Sequence, residues 1–160
     1  MIILGIDPGT NRIGHALVEK KKNIIKPISY GCWEFKIRDK GYRLINIHKN
    51  IQKILKEHKP DYLAIESVFF CRNAKTVMQV SEARGVILMT AAKHKTEVIE
   101  LAPLEIKQKL TGNGWAEKAD MQKFVKKILK IKNLPGPDDT ADALAIALAG
   151  IIKIEKSKTP

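Results

Sequence analysis

The first six residues form an unbroken apolar run that ends on a carboxylate, Asp7. Because such a run has no polar face, it predicts a strand that is buried on both sides. A strand of this kind needs cover above and below, which helices supply in α/β folds. The chain is therefore expected to build a sheet between two layers of helices.

The remaining periodicities predict the rest of an α/β fold. They indicate three meandering, antiparallel strands and then two parallel ones, giving a five-stranded mixed sheet with helices on both faces. We expect a single domain over residues 1–153 and a disordered, basic C-terminal tail over residues 154–160. The predicted strands are 1–6, 12–19, 24–35, 62–65 and 96–101, and the predicted helices are 40–58, 77–91, 103–110, 121–129 and 139–152.

Composition narrows the class of protein. No apolar run approaches the ~20 residues that cross a bilayer. Two cysteines, Cys32 and Cys71, cannot form a disulfide framework and have no metal-ligand spacing. We therefore expect a reduced, cytoplasmic protein.

The chain is strongly basic, with 29 Lys and Arg against 17 Asp and Glu and a net charge of +12. Such a surface favours a polyanion, because each neutralised phosphate releases condensed counterions. A solvated lysine surface that only aids solubility explains the same composition. Charge alone leaves nucleic acid and simple solubility as equal interpretations.

Two carboxylates share a sequence context. Asp7 and Glu66 each follow a short apolar strand directly, and residues 40–58 supply the helical crossover that parallel strands need. If the two strands are adjacent, both carboxylates emerge at the carboxyl edge of the sheet, where α/β folds place their sites. Gly9 and Gly14 leave room nearby for a backbone or a ligand to approach closely.

A second pair of acids, Asp139 and Asp142, begins the last predicted helix. Their spacing puts both on one face of its first turn. The small, apolar residues 143–150 that follow would let this helix pack tightly on the sheet. Taken singly, an N-cap, a favourable helix dipole or an Asx turn explains each acid.

Taken together, four converging acids repel one another unless cations lie between them. Oxygen ligands without His or Cys suit Mg²⁺, with Mn²⁺ as the alternative, and two such ions would clamp an in-line phosphodiester displacement. The four histidines have no metal-ligand spacing and are interpreted as surface or packing residues. The residues themselves thus predict a metal-dependent phosphodiesterase.

Five segments of the chain resemble the RuvC family of Holliday junction resolvases, within the ribonuclease H-like superfamily. They occur in family order from residue 5 to residue 145, so the resemblance covers nearly the whole chain. The first segment alone is weak, since actin-like kinases share a similar loop, but the Glu66 loop and the Asp139–Asp142 helix are specific. The segments are 5–10, 64–74, 83–85, 116–118 and 139–145.

The resemblance implies a homodimer that nicks two opposed strands of a four-way DNA junction symmetrically, in recombination and repair. The family works with a branch-migration motor, which makes such a complex a further possible partner. The family's metal carboxylates fall on Asp7, Glu66, Asp139 and Asp142, and its active-site lysines fall on Lys107 and Lys118. Without the resemblance, either lysine would be read as an ordinary solvated charge.

The family's loop aromatic falls on Phe69, beside Phe70 and near Arg72 and Lys75. An aromatic among cations can stack on unpaired bases at the junction centre. Core burial is the alternative for one of the two phenylalanines, and we favour Phe69 as the exposed one.

The sequence departs from the family pattern at two places. His15 stands where an aromatic is common, within an Arg-Ile-Gly motif typical of the related YqgF-like nucleases that act on RNA. Asp138 adds an acid beside Asp139, and we choose Asp139 because it lies three residues before Asp142. A YqgF-like RNA nuclease, an actin-like nucleotide-binding domain and a non-catalytic nucleic-acid-binding module are the competing interpretations.

Overall fold

A computed structural model describes residues 1–67, 74–134 and 136–158, without the side chains of residues 74–76 and 158. The strands are β1 (Ile2–Pro8), β2 (Arg12–Lys21), β3 (Ile24–Glu34), β4 (Tyr62–Glu66) and β5 (Glu97–Leu101). The helices are α1 (Lys40–His58), α2 (Ala74–Lys93), α3 (Pro103–Thr111), α4 (Lys118–Leu129) and α5 (Asp138–Lys158).

The strands form one sheet in the order β3-β2-β1-β4-β5. β1 pairs antiparallel with β2, and β2 pairs antiparallel with β3. β4 pairs parallel with both β1 and β5. The predicted α/β fold and its mixed sheet are therefore confirmed, with β1 at the centre.

The sheet has a hydrophobic core on each face. Alternate residues of β1 point to opposite sides, as the period of a strand requires. Ile3 packs in the cluster formed with α3, α4 and α5. Leu4 and Ile6 pack in the cluster formed with α1 and α2. In the described part of the chain, no helix is long and apolar enough to cross a membrane.

Local signals explain where the helices begin and end. Asp39 caps α1 by accepting a hydrogen bond of 2.8 Å from the Tyr42 backbone N–H. Pro103 opens α3, where a missing N–H costs nothing, and Gly112 ends it with a left-handed φ of 78°. Met121, Val125 and Leu129 are the buried stripe of α4.

The end of the chain differs from the prediction. α5 continues to Lys158, so residues 154–158, expected in a disordered tail, are helical. Ile154 is only 7% exposed, because it extends the apolar face of the helix past the predicted end near residue 152. An ion pair between Glu155 and Lys20 also holds the last turns beside β2. The prediction of tail disorder is wrong for these five residues.

Candidate active site

Asp7 and Glu66 lie side by side at the carboxyl ends of two paired strands. Ile6 is in register with Ile65 in the parallel β1–β4 pair, so the two carboxylates end neighbouring strands at the same level. Asp7 comes two residues after Gly5, and a Cβ added to Gly5 would point towards α5. The period of a strand therefore directs Asp7 towards the same helix.

Two glycines let α5 approach this edge of the sheet with its backbone. A Cβ added to Gly14 would come within 1.9 Å of the Asp139 carbonyl oxygen. One added to Gly5 would come within 2.3 Å of the Ala143 carbonyl oxygen. The absence of both side chains therefore sets the first turn of α5 directly against β2 and its second turn against β1. Gly14 was expected to leave room for a backbone or a ligand, and the backbone of α5 occupies that room.

The result is a cleft of about 290 Å³ at the carboxyl edge of the sheet. Three of the predicted carboxylates and both predicted lysines line it, and apolar side chains of α3, α4 and α5 form the remaining wall. The lining residues are Asp7, Glu66, Pro103, Ile106, Lys107, Lys118, Met121, Asp142, Ala145 and Ile146.

Asp7 is the most perturbed carboxyl group of the cleft. Its pKa is raised from 3.8 to about 7, and burial is the largest cause, because a desolvated carboxylate is disfavoured as an anion. The negative charges of Asp142, Glu66 and Asp139 contribute to the same rise. The positive charge of Lys118 opposes them only in part. Asp7 is therefore the point at which the repulsion within this group of acids is greatest.

The other two carboxylates of the cleft behave in the same way. Burial is the main cause that raises the pKa of Glu66, with the charge of Asp142 adding to it and Lys107 opposing it. Burial also raises the pKa of Asp142, against the hydrogen bond that Lys118 donates to it. Each acid thus has one lysine close enough to counter part of its charge.

Lys118 bridges two carboxylates of α5 from the first residue of α4. Its Nζ donates to Asp142 Oδ2 at 3.0 Å and lies 3.3 Å from Asp138 Oδ2. Burial lowers the pKa of Lys118, but these two acids outweigh it, and the net pKa is raised. The lysine is therefore held as a cation at the mouth of the cleft.

Asp138 and Asp139 occupy different surroundings. Asp139 is among the charges that raise the pKa of Asp7. Its carboxylate lies 3.6 Å from the Arg12 Nε, and its side chain is 23% exposed. Asp138 faces Lys118 and Gln122 instead, with its side chain 70% exposed. This arrangement favours Asp139 as the acid associated with Asp7, which remains a prediction.

The residues of the cleft fit a divalent cation. In the ranges that the structure describes, no three acidic, histidine or cysteine groups already converge on one point as ligands. Lys118 and Arg12 instead hold the carboxylates of Asp142 and Asp139. The donors are nonetheless all hard oxygens, and a cation among them would relieve the repulsion that raises the pKa of Asp7.

The structure does not describe the side chains of the remaining predicted DNA contacts. Phe69, Phe70 and Arg72 are outside the described residues, and Lys75 lies in the first turn of α2, where side chains are not described. The choice between Phe69 and Phe70 therefore stays a prediction.

Two of the histidines prove to be packing residues, as expected. The ring of His15 stacks on Trp33 with centroids 4.1 Å apart, and burial lowers its pKa to about 4. His48 Nδ1 lies 2.8 Å from Thr90 Oγ1 in the layer between α1 and α2.

Sequence reasoning missed Arg12 and the apolar wall of the cleft. Arg12 follows the Asp7 turn by only a few residues, so its position at the start of β2 could have indicated a charge facing the site. Ile106 and Met121 belong to ordinary helical stripes, and nothing in their pattern separates a cleft wall from a core.

Comparison with known proteins gives consistent matches over nearly the whole chain. The family model described as "Crossover junction endodeoxyribonuclease RuvC" matches residues 3–150. A relative of that name from Desulfitobacterium hafniense is 44% identical over 149 residues, which are 92% of this chain and 90% of that protein. One from Syntrophomonas wolfei is 46% identical, covering 92% of this chain and 87% of that protein.

Solved structures agree in fold. The Thermus thermophilus RuvC structure in complex with a Holliday junction substrate has a TM-score of 0.92 and 30% identity, covering 98% of this chain and 96% of that one. The yeast mitochondrial Holliday junction resolvase Ydc2, at 10% identity and a TM-score of 0.69, shares the fold.

The sheet order and the acidic cleft at its carboxyl edge define a metal-dependent nuclease with a ribonuclease H-like fold. This class hydrolyses phosphodiester bonds, which agrees with the net charge of +12 of the chain. The chain belongs to the RuvC family of crossover junction endodeoxyribonucleases and is a Holliday junction resolving endonuclease.

Proposed function

We propose that this enzyme resolves four-way DNA junctions by paired symmetric nicks, using Asp7, Glu66, Asp139 and Asp142 to hold divalent metal ions. The observation that carries the proposal is the shared cleft of three acids and two lysines, Lys107 and Lys118. An acidic cleft in a protein of net charge +12 indicates two different functions for its charged side chains. Carboxylates bind metal, and the surrounding cations bind the polyanion.

Two Mg²⁺ ions, or Mn²⁺ in their place, would supply Lewis-acid stabilisation of the attacking water and of the leaving oxygen. Asp7 on β1, Glu66 on β4 and Asp142 on α5 line the cleft together and would hold these ions. Asp139 would join them by exchanging its contact with Arg12 for one with metal.

Lys107 and Lys118 would bind the scissile phosphate and stabilise the charge that develops on it. They project from α3 and α4 into the same cleft, so a phosphate between them would lie against the acids of β1 and β4. Lys118 would exchange its contacts with Asp138 and Asp142 for that phosphate. The apolar wall from Ile106 and Met121 limits water around the reacting group and strengthens these charge interactions.

A second, basic groove supports a path for a DNA arm away from the cleft. It has a volume of about 450 Å³ and begins at Arg12, whose guanidinium contacts Asp139. Lys36 and Arg38 continue it along the loop that leads into α1, and Arg43 in the first turn of α1 adds a further cation. Spaced cations of this kind suit successive phosphates. Phe69, Arg72 and Lys75, which follow β4 in the sequence, are the further DNA contacts that we propose.

We also propose that the protein acts as a homodimer, because two symmetric nicks need two identical active sites. Three apolar residues are exposed on the face of α1 and α2 that turns away from the sheet. Their exposed fractions are 47% for Ile45, 67% for Met78 and 48% for Met89. A Cβ added to Gly85, on the same exposed face of α2, would meet nothing within 4 Å. Such a surface suits helix packing between two copies.

The cellular setting follows from the substrate. We propose that the enzyme works in the cytoplasm, on chromosomal junctions, and that a branch-migration motor is its partner. The family resemblance alone supports this partner.

The dimer proposal predicts that M78E and M89E each weaken self-association by at least tenfold, because a charge would have to be buried in an apolar contact. Sedimentation equilibrium of the purified variants measures this change. I24E, which adds the same charge to a residue that is 68% exposed on β3, is the matched control. Unchanged association of both methionine variants would contradict the proposed surface.

The substrate proposal is tested with a synthetic four-way junction, a linear DNA duplex and an RNA–DNA hybrid in Mg²⁺. We expect paired, symmetric nicks in the junction and no cleavage of the other two substrates. Omission of divalent metal should abolish the nicks while leaving junction binding in place. Preferential cleavage of the hybrid would instead favour the YqgF-like reading, and a single unpaired nick would contradict symmetric resolution.

A further inference from the structure

The loop between α3 and α4, the two helices that carry the lysines of the cleft, has an exposed tryptophan. Trp115 is 81% exposed, the most exposed of the large apolar side chains in the described ranges. Lys107 and Lys118, which line the cleft, lie eight residues before it and three residues after it. Ala116, the next residue, is only 5% exposed and anchors the loop in the core.

The loop is held in place by its own hydrogen bonds. Asn113 Oδ1 accepts from the Trp115 backbone N–H at 3.0 Å, and Thr111 Oγ1 accepts from the Asn113 N–H at 3.0 Å. Gln108 Nε2 donates to the Gly112 carbonyl at 2.8 Å. The indole is therefore presented by an ordered segment, and a ligand that contacts it would not have to order the loop.

The surroundings of Trp115 are apolar and of mixed charge. The loop folds back on the start of α3, since a Cβ at Gly114 would lie 3.4 Å from the Leu104 carbonyl oxygen. Leu104 is itself 50% exposed, beside Pro103 of the cleft wall. Glu117 comes two residues after the tryptophan, so the surroundings of the indole are not purely basic. These neighbours suit the flat face of a base better than a phosphate.

We propose that Trp115 stacks on an unpaired nucleobase of the strand whose phosphate lies between Lys107 and Lys118. The proposal rests on the junction substrate proposed above. In a continuous duplex, both faces of each base are already stacked on neighbours, whereas bases next to the crossover can leave the stack. A tryptophan at this position therefore selects for branched DNA, because stacking on an aromatic ring rewards only a base with a free face.

The sequence provides an optical test, since Trp33 and Trp115 are its only tryptophans. In W33F, the fluorescence reports Trp115 alone. A four-way junction added in EDTA, which prevents cleavage, should quench this emission and protect it from acrylamide, and a linear duplex should do neither. In W115F, the emission of Trp33 should stay unchanged with either DNA.

Affinity gives a second, independent measurement. We expect W115A to bind the junction about tenfold more weakly in EDTA and the duplex with unchanged affinity, while W115F keeps most of the junction affinity. I24A, which truncates another exposed apolar side chain, should bind both DNAs normally. Unquenched Trp115 in W33F with junction binding intact would overturn the stacking proposal alone. Equal binding of junction and duplex by the unsubstituted protein would instead overturn the substrate proposal.

Discussion

Asp7→Asn is expected to abolish Mg²⁺-dependent cleavage and, at the same time, to stabilise the metal-free protein above about pH 7. The two effects have one cause. Asp7 is a buried carboxylate that faces Asp142, Glu66 and Asp139, and this environment raises its pKa from 3.8 to about 7. Asparagine keeps the shape of the side chain but removes the charge that we propose binds metal and that the other acids repel.

The pH dependence follows from the direction of that shift. A carboxyl group whose folded-state pKa is raised gives its full stability below its unfolded pKa, near 3.8. This stability is lost as pH rises through the folded pKa of about 7. At pH 8, the substitution should therefore raise the free energy of unfolding, by at most about 4 kcal/mol at 1.36 kcal/mol per pKa unit. Below about pH 4, the gain should disappear.

Thermal melts in EDTA at pH 4 and pH 8, with cleavage assays in Mg²⁺, measure both effects. Mg²⁺ should raise the melting temperature of the unsubstituted protein at pH 8 but not that of Asp7→Asn. Junction binding by the variant should be preserved or improved, because less negative charge faces the phosphate. Glu57→Gln, at an exposed acid of α1, is the control for loss of one charge. Normal cutting by Asp7→Asn would falsify the assignment of Asp7 to the metal site.

Much of the fold was predictable because β1 and β4 carry strong local signals. An apolar run that ends on an acid occurs twice, with a helical crossover between the runs, and the structure pairs these strands in parallel. The end of α5 was not predictable from the same kind of signal. Its last turns contain several lysines, and only tertiary contacts, such as the burial of Ile154, keep them helical.

The acids at this edge of the sheet were predictable from the sequence, but the contacts that their side chains make were not. Residue spacing gives the placement of Asp7 and Glu66, because the period and register of strands are fixed. The pairing of Arg12 with Asp139 depends on how closely α5 approaches β2, a distance that no local pattern encodes. The same holds for Trp115, since an exposed tryptophan and a buried one look alike in a sequence.

The close approach of the first turn of α5 to β2 depends on the missing side chain at Gly14. The Cβ of an alanine there would lie 1.9 Å from the Asp139 carbonyl oxygen and 2.6 Å from the carbonyl carbon. Real Cβ atoms essentially never come closer than 3.0 Å to another heavy atom, so the first turn of α5 would have to move. The contact is with backbone, which cannot rotate away as the end of a side chain can.

Gly14→Ala is therefore expected to displace Asp139 and Asp142 from Asp7 and to lower the cleavage rate by about a hundredfold or more, as a misplacement of ~1 Å can do. Overpacking should also lower the free energy of unfolding by ~1–3 kcal/mol. Cleavage of the four-way junction in saturating Mg²⁺ and denaturant unfolding in EDTA measure the two losses. Circular dichroism and junction binding check that the variant used in the cleavage assay is folded.

Gly41→Ala is the matched control. Its added Cβ would meet only the Asp39 side-chain oxygen, at 3.3 Å, and that side chain can give way. This variant should cut junctions at the normal rate with little change in stability. If Gly14→Ala were folded and equally active, the position of the first turn of α5 would not control the geometry of the metal site. If Gly14→Ala were inactive but as stable as the unsubstituted protein, the first turn of α5 would have moved at no cost in stability. Tight packing against β2 would then not be what holds this turn in place.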